Sequence, residues 1–180
     1  MRVIGGEFRS RALKSLPGLD VRPTPDRLRE ALFNVLAPRI EGIVFADVYA
    51  GTGAVGIEAL SRGASRAIFI EQSRPAVEVI RENLRSLGIE ERAQVRHGRA
   101  TAILPQLQRV EIVFVDPPYR LESEYERALT ILGQTSAPLV IAQHATRFEL
   151  AESYGTLRRQ RSLKQGDNTL SFYETALSLT

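Results

Sequence analysis

Two stretches of the chain carry side chains able to do chemistry. The first is Asp116-Pro117-Pro118-Tyr119, which follows the apolar run Ile112-Val113-Phe114-Val115. Four apolar, mostly β-branched residues predict a buried strand, left abruptly through the two prolines. Pro117 and Pro118 have no backbone N–H and hold the residues before them extended. The Asp116 carboxylate and nearby carbonyls remain as acceptors, beside the aromatic face of Tyr119. Such a stiff, acceptor-rich site suits a flat ligand presenting an N–H₂ group. It suits an oxyanion poorly, because an oxyanion needs donors. Read alone, the same residues also describe an acidic turn capping a strand.

The second stretch is Asp47-Val48-Tyr49-Ala50-Gly51-Thr52-Gly53-Ala54-Val55-Gly56, in which Gly51, Gly53 and Gly56 form a G-x-G-x-x-G pattern between a predicted strand and a predicted helix. Glu71 follows twenty residues after Gly51, at the end of the next predicted strand, where it can accept from ribose hydroxyls. Asp47 decides between nucleotide cofactors. A dinucleotide pyrophosphate is anionic and wants N–H groups around it, so a carboxylate beside it in a poorly solvated cleft adds repulsion. S-adenosylmethionine carries an ammonium and a sulfonium and no phosphate. The loop therefore points to S-adenosylmethionine, with NAD second. Tyr49 either lines this pocket or packs beneath the loop.

Together the two stretches describe methyl transfer to an amine. Exocyclic amines on aromatic bases are weak nucleophiles, because their lone pair is delocalised. Hydrogen bonds from the amine to the Asp116 carboxylate and the Pro117 carbonyl return electron density to nitrogen, and Tyr119 can stack on the base. Positioning of this kind can lower a barrier by roughly 7–11 kcal/mol. No metal and no covalent intermediate are required, and a base within a helix has to be unstacked to reach the pocket.

The elements that must position these residues alternate regularly. Thr24 is a possible N-cap and Pro25 a first helical residue for a helix carrying Ala31, Leu32, Val35 and Leu36, ended by Pro38. Strands are predicted over 43–47, 67–71, 94–97, 112–115 and 139–143, and helices over 54–61, 75–87, 101–107 and 122–132. Two further strands meet at Gln165-Gly166-Asp167-Asn168. This β-α alternation predicts an α/β fold: one doubly wound, mostly parallel seven-stranded sheet with an antiparallel edge. Asp47, Glu71 and Asp116 then share the rim at the carboxyl ends of the strands, where such sheets bind ligands. Residues 1–22 read as a basic extended arm or small hairpin, and residues 23–180 as the main domain.

At 180 residues and 43% hydrophobic content, the chain fits one domain with a full core. It has no cysteine and only two histidines, so thiolate and zinc sites are not expected. No apolar run approaches a membrane span and no secretory signal is visible, so a cytoplasmic protein is expected; it is also expected to be a monomer. Net charge is +3 and the pI is near 9.6. Residues 1–30 hold seven basic groups against four acids, and a second basic run comprises Arg158, Arg159, Arg161 and Lys164. That clustering suggests a polyanion, with a solvated surface as the plain alternative.

Along nearly its whole length, the chain resembles the RsmD-type family of bacterial 16S rRNA guanine-N2 methyltransferases, within the class I S-adenosylmethionine-dependent, Rossmann-like fold. The resemblance rests on Met1–Gly6 with Phe8-Arg9-Ser10-Arg11, on Arg22-Pro23-Thr24-Pro25-Asp26-Arg27-Leu28-Arg29-Glu30-Ala31-Leu32-Phe33-Asn34, on residues 47–63, on Asp116–Tyr119, and on Leu170-Ser171-Phe172-Tyr173. It implies a guanine of small-subunit rRNA as substrate, presented within a 30S particle or an assembly intermediate. By the same resemblance, Arg2, Arg9, Arg11, Arg22, Arg27 and Arg29 would hold the RNA, orienting it without reading its sequence.

Two positions depart from the family pattern. Where an acid commonly contacts the adenine amine, this chain has His97-Gly98-Arg99-Ala100, so adenine recognition is expected from the backbone at Arg99 and Ala100. The turn at Gln165–Asn168 also differs from the Tyr-Gly-Asp-Thr-like turn expected there. His97 reads as a polar cap, His144 receives no role, and Asn34 either helps close the pocket or belongs to a helix face. Competing functions are a DNA or other RNA amino-methyltransferase, for which the chain lacks room for a target-recognition insertion, and a non-catalytic RNA-binding assembly factor.

Overall fold

The computed structural model describes residues 1–17 and 24–176, so Arg22 lies outside the described residues. The chain opens as a tight hairpin. Arg2 and Ala12 form an antiparallel bridge, and Val3 N–H donates to Arg11 O while Leu13 N–H donates to Met1 O. The hairpin is no free arm. Val3 and Leu13 are buried in one cluster with Ile57, Leu60, Phe69 and Ile80.

Helix α1 (Asp26–Leu36) buries Leu28, Leu32, Phe33 and Leu36, spaced three and four apart. Pro25 is its N-cap residue, and no side chain caps it. The Thr24 hydroxyl, expected to cap α1, is instead directed at Asp116. Pro38 falls in a short 3₁₀ turn, Ala37–Arg39, that follows the helix. Next come β1 (Val44–Val48), α2 (Ala54–Ser61), β2 (Arg66–Glu71), α3 (Arg74–Leu87), β3 (Ala93–His97), α4 (Ala100–Ile103), β4 (Ile112–Val115), α5 (Glu122–Leu132), β5 (Leu139–Ala145), β6 (Ser153–Tyr154), β7 (Leu157–Gln165) and β8 (Asn168–Thr175). Ser73 caps α3 by accepting from Ala76 N–H, and Gly88 ends it in the left-handed region.

Among the described residues these strands form one eight-stranded sheet, ordered β3-β2-β1-β4-β5-β8-β7-β6. The first five are parallel and the last three antiparallel. The expected count of seven becomes eight because the two-residue strand Ser153–Tyr154 pairs with β7; a segment that short shows no alternation to read. Side chains alternate across β1 and β4. Val48, Val113 and Val115 face a cluster with α4 and α5, while Phe45, Ile112 and Phe114 face α1.

The connection order reverses between β1 and β4, which pair with Asp47 beside Phe114 and Val48 beside Val115. In an open α/β sheet the crevice at that reversal is the place for a ligand. Among the described residues no helix is long and apolar enough to cross a membrane. The basic run on β7 is not one surface. Arg159 pairs with Glu152, Arg161 stacks over the Phe172 ring at 5.8 Å, and alternation sends Arg161 and Lys164 to opposite faces.

Candidate cofactor and acceptor site

At this reversal point a cavity of about 210 Å³ opens, lined by Asp47, Gly51, Glu71 and Asp116 among others. Three carboxylates from the ends of three strands thus line one cavity, as the rim position of the strands requires. Each is held differently.

Asp47 is 2% exposed at the end of β1, and its Oδ2 accepts the Gly56 N–H at 2.9 Å. Burial pushes its carboxyl well above the ordinary range; the Gly56 N–H opposes this, and the negative fields of Asp116 and Glu71 add to it. Glu71 holds the glycine loop from the next strand: Oε2 accepts Gly51 N–H and Oε1 accepts Ser73 N–H, both at 2.8 Å. Two acids therefore fix the loop by binding its backbone donors.

The glycines divide their work. Gly51 and Gly53 adopt φ values of 59° and 81°, a region that side chains disfavour. Gly53 sits there as the N-cap of α2. Gly56 has ordinary φ but no room for a side chain: a Cβ would lie 2.4 Å from the Phe69 ring. Of the three, Gly51 reaches the cavity wall; Gly53 and Gly56 shape the helix start and its approach to β2. Tyr49 does both things the sequence left open. It lines the cavity and packs on the core below, and its hydroxyl donates to Glu124 Oε2 at 2.9 Å. Burial, then the Glu124 hydrogen bond, raises its pKa.

Opposite the loop, Asp116 is half-buried, Pro117 buried and Pro118 exposed. All three line the cavity with Tyr119. Burial pushes the Asp116 carboxyl up to about 7, opposed by a long hydrogen bond from Thr24 Oγ1 at 3.5 Å. The Tyr119 hydroxyl donates to the Asn168 side-chain oxygen. The turn that departs from the family pattern thus supplies a contact to the acceptor side of the site. Among the described residues no cluster of metal-ligating side chains occurs.

Several expected residues stand away from the cavity. Arg99 is exposed and Ala100 is packed into the core. Neither belongs to the cavity wall, which is made instead by Gln72 and Ser73. The reason is local: after β3, Gly98 N–H donates to Glu71 O and His97 Nε2 donates to the Gln72 carbonyl at 3.0 Å, which gives His97 the capping role read for it. Asn34 is an exposed helix-face residue outside the wall. Arg29 is fully buried. Its Nη2 donates to Arg2 O and Asp26 Oδ1, and its Nε lies 4.0 Å from the buried Glu58, so it faces no solvent from which RNA could approach. Arg2, Arg9, Arg11 and Arg27 are exposed. Sequence reasoning also missed Met1, Thr24 and Thr52 in the wall; Thr24 lies in the Arg22–Asn34 stretch that carries the family resemblance, which is the one signal that pointed to it.

The glycine cradle and its acids fit a cationic nucleoside cofactor. The acceptor-rich rim fits an amine. Comparisons with known proteins agree with that geometry. The chain is 33% identical over 182 residues to YlbH of Bacillus subtilis, covering 97% of this chain and 98% of that protein. It is 44% identical over 121 residues to the ribosomal RNA small subunit methyltransferase D of Escherichia coli, covering 67% of this chain and 61% of that protein. The solved structure of yhhF from Escherichia coli superposes with a TM-score of 0.83 at 34% identity, covering 97% of each chain. The family described as conserved hypothetical protein 95 matches residues 1–174, and the chain belongs to it as an RsmD-type methyltransferase.

Proposed function

We propose that the protein uses S-adenosylmethionine to methylate the N2 amine of a guanine in 16S rRNA, within the 30S subunit or an assembly intermediate. The observation that carries this reading is Asp116, set on a proline-stiffened rim, in one cavity with Asp47, Glu71 and Gly51. The rRNA substrate is supported by the name of the Escherichia coli relative.

The cofactor, when bound, supplies an electrophilic methyl group on a cationic sulfur. The remaining work belongs to the chain. Glu71 uses one lone pair of each oxygen on the loop and keeps others for ribose hydroxyls. A cation in the cavity draws the buried Asp47 carboxyl toward its charged form, as a phosphate does not, and Glu71 adds to that preference. The ionised Asp116 carboxylate and the Pro117 carbonyl accept the two amine hydrogens and hold the nitrogen lone pair toward the loop; once the nitrogen carries the methyl group, one of those hydrogens leaves as a proton to Asp116 or to solvent. Tyr119, with its hydroxyl fixed by Asn168, offers its ring to the base. Arg2, Arg9, Arg11 and Arg27 hold phosphates and set the register of the RNA.

The test uses labelled S-adenosylmethionine with unmodified 30S subunits. Label is expected at a single guanine N2. Asp116→Ala is expected to abolish transfer while calorimetric binding of S-adenosylhomocysteine persists. Full activity in that variant, or label entering duplex DNA in preference to subunits, overturns the assignment.

A further inference from the structure

None of the contacts described so far employs Asn83. It lies on α3, is 1% exposed, and so must satisfy its amide inside the protein. Its Oδ1 accepts the Lys14 N–H at 2.7 Å, and its Nδ2 donates to the carbonyls of Lys14 and Thr52, each at 3.1 Å. The amide therefore grips the returning arm of the N-terminal hairpin as a neighbouring strand would, and spends its remaining N–H on the residue between Gly51 and Gly53. The same two units touch again at the cavity. Met1, whose carbonyl accepts the Leu13 N–H, lines the cavity wall, and the Thr52 hydroxyl lies 3.8 Å from its sulfur. At the hairpin's other end, the buried Glu58 accepts the Ile4 and Gly5 N–H groups at 2.9 and 2.8 Å, and Ser61 Oγ accepts from Phe8 N–H at 2.9 Å. Glu58 and Ser61 lie on α2, the helix that the glycine loop begins.

We infer that Asn83 is a positioning residue that makes the basic hairpin and the glycine loop one unit, so that RNA held by the hairpin and a nucleoside held by the loop strengthen each other's binding. The inference rests on the function proposed above, because it needs both ligands. Its physical basis is shared ordering. Whichever ligand binds first fixes a unit the other also requires, and the second then meets a smaller entropy loss. The coupling is reciprocal by thermodynamic necessity.

The experiment uses the full chain with S-adenosylhomocysteine, which binds without methyl transfer. In the wild-type protein this probe is expected to slow amide exchange at Leu13 and Lys14 by about tenfold, although neither residue lines the cavity. It is also expected to tighten binding of unmodified 30S subunits by a factor within the common range of about 5–150. Asn83→Asp keeps the acceptor for Lys14 N–H and removes both donors. In that variant the probe still binds, exchange at Leu13 and Lys14 no longer responds, and the tightening falls below about twofold. Calorimetric binding to wild type without any change in hairpin exchange overturns this inference alone, and needs no variant. Absence of any binding heat overturns the reading of the cavity itself.

Discussion

The Tyr119 hydroxyl donates to the side-chain oxygen of Asn168, so the closing hairpin anchors the ring beside the acceptor pocket. The anchor is 7% exposed, which shields the bond from competing water. Asn168→Ala is expected to loosen the ring while leaving the cofactor side untouched. A net hydrogen bond of about 0.5–1.5 kcal/mol corresponds to a loss of roughly 2- to 13-fold in kcat/KM for RNA. Steady-state kinetics check this, with unchanged S-adenosylhomocysteine affinity as the control.

Asp116 sets the pH dependence. Its ionised form is the stronger acceptor for an amine hydrogen beside the Thr24 hydroxyl hydrogen, and burial holds its pKa up to about 7. Activity is therefore expected to fall below neutrality and rise to a plateau in mild alkali. The rising limb of kcat/KM, which reports the free enzyme, should have its midpoint near 7. A cation in the cavity favours the carboxylate, so the midpoint of kcat should lie lower. A flat kcat/KM profile from pH 5.5 to 8.5 (about ±1.5 units around that midpoint) would remove Asp116 from the acceptor role.

Gly56→Ala isolates packing from backbone strain. The new methyl would meet the Phe69 ring at 2.4 Å while φ stays ordinary. Overpacking of this kind costs about 1–3 kcal/mol, which lowers Tm by roughly 2–4 °C per kcal/mol for a chain of this size. Phe69→Leu introduced together with Gly56→Ala should recover part of the loss. Thermal denaturation of the four proteins in that cycle provides the check.

The buried pair Arg29–Glu58 predicts an asymmetry. Glu58 retains Arg62 and two hairpin N–H groups if Arg29 is removed, whereas Arg29 without Glu58 keeps only contacts to Arg2 O and Asp26. Glu58→Ala should therefore destabilise by about 3–5 kcal/mol, as expected for stranding a buried charge, and Arg29→Met by clearly less. Urea unfolding midpoints measure the difference; equal losses would mean that Arg62 and the hairpin N–H groups do not compensate Glu58 when Arg29 is removed.

Exposed arginines should behave in the opposite way. Arg9→Ala and Arg27→Ala are expected to leave the urea midpoint unchanged and weaken RNA binding. Each lost phosphate contact should reduce the salt slope of binding by roughly 0.7–0.9. Titrations at several salt concentrations decide whether these two side chains touch the backbone of the RNA.

How much of this was legible in the sequence depends on the range of the interaction. The helices over 54–61 and 122–132 and the strand over 112–115 match the observed bounds, because hydrophobic period and flanking glycine or proline mark them locally. The common rim of Asp47, Glu71 and Asp116 followed from topology, since strand ends in a parallel sheet point one way. Arg29 was misread as an RNA contact because charge composition carries no record of burial. Its fate depends on Glu58, a helix away. Thr24 was misread as a cap for a similar reason: its hydroxyl serves a carboxylate 92 residues later in the chain. Asn168 gave no signal at all, since an asparagine in a turn is ordinary until the fold brings Tyr119 to it.

The hairpin's moorings also govern the order in which the nascent chain can settle. Its partners Glu58, Ser61 and Asn83 lie 53 to 69 positions downstream. At synthesis rates of about 5–20 residues per second, the opening segment waits roughly 3–14 s before its last tether exists. During that interval an arginine-rich stretch is loose beside the ribosome that is making it. The cavity is completed later still, because its rim at Asp116–Tyr119 is made after Asn83.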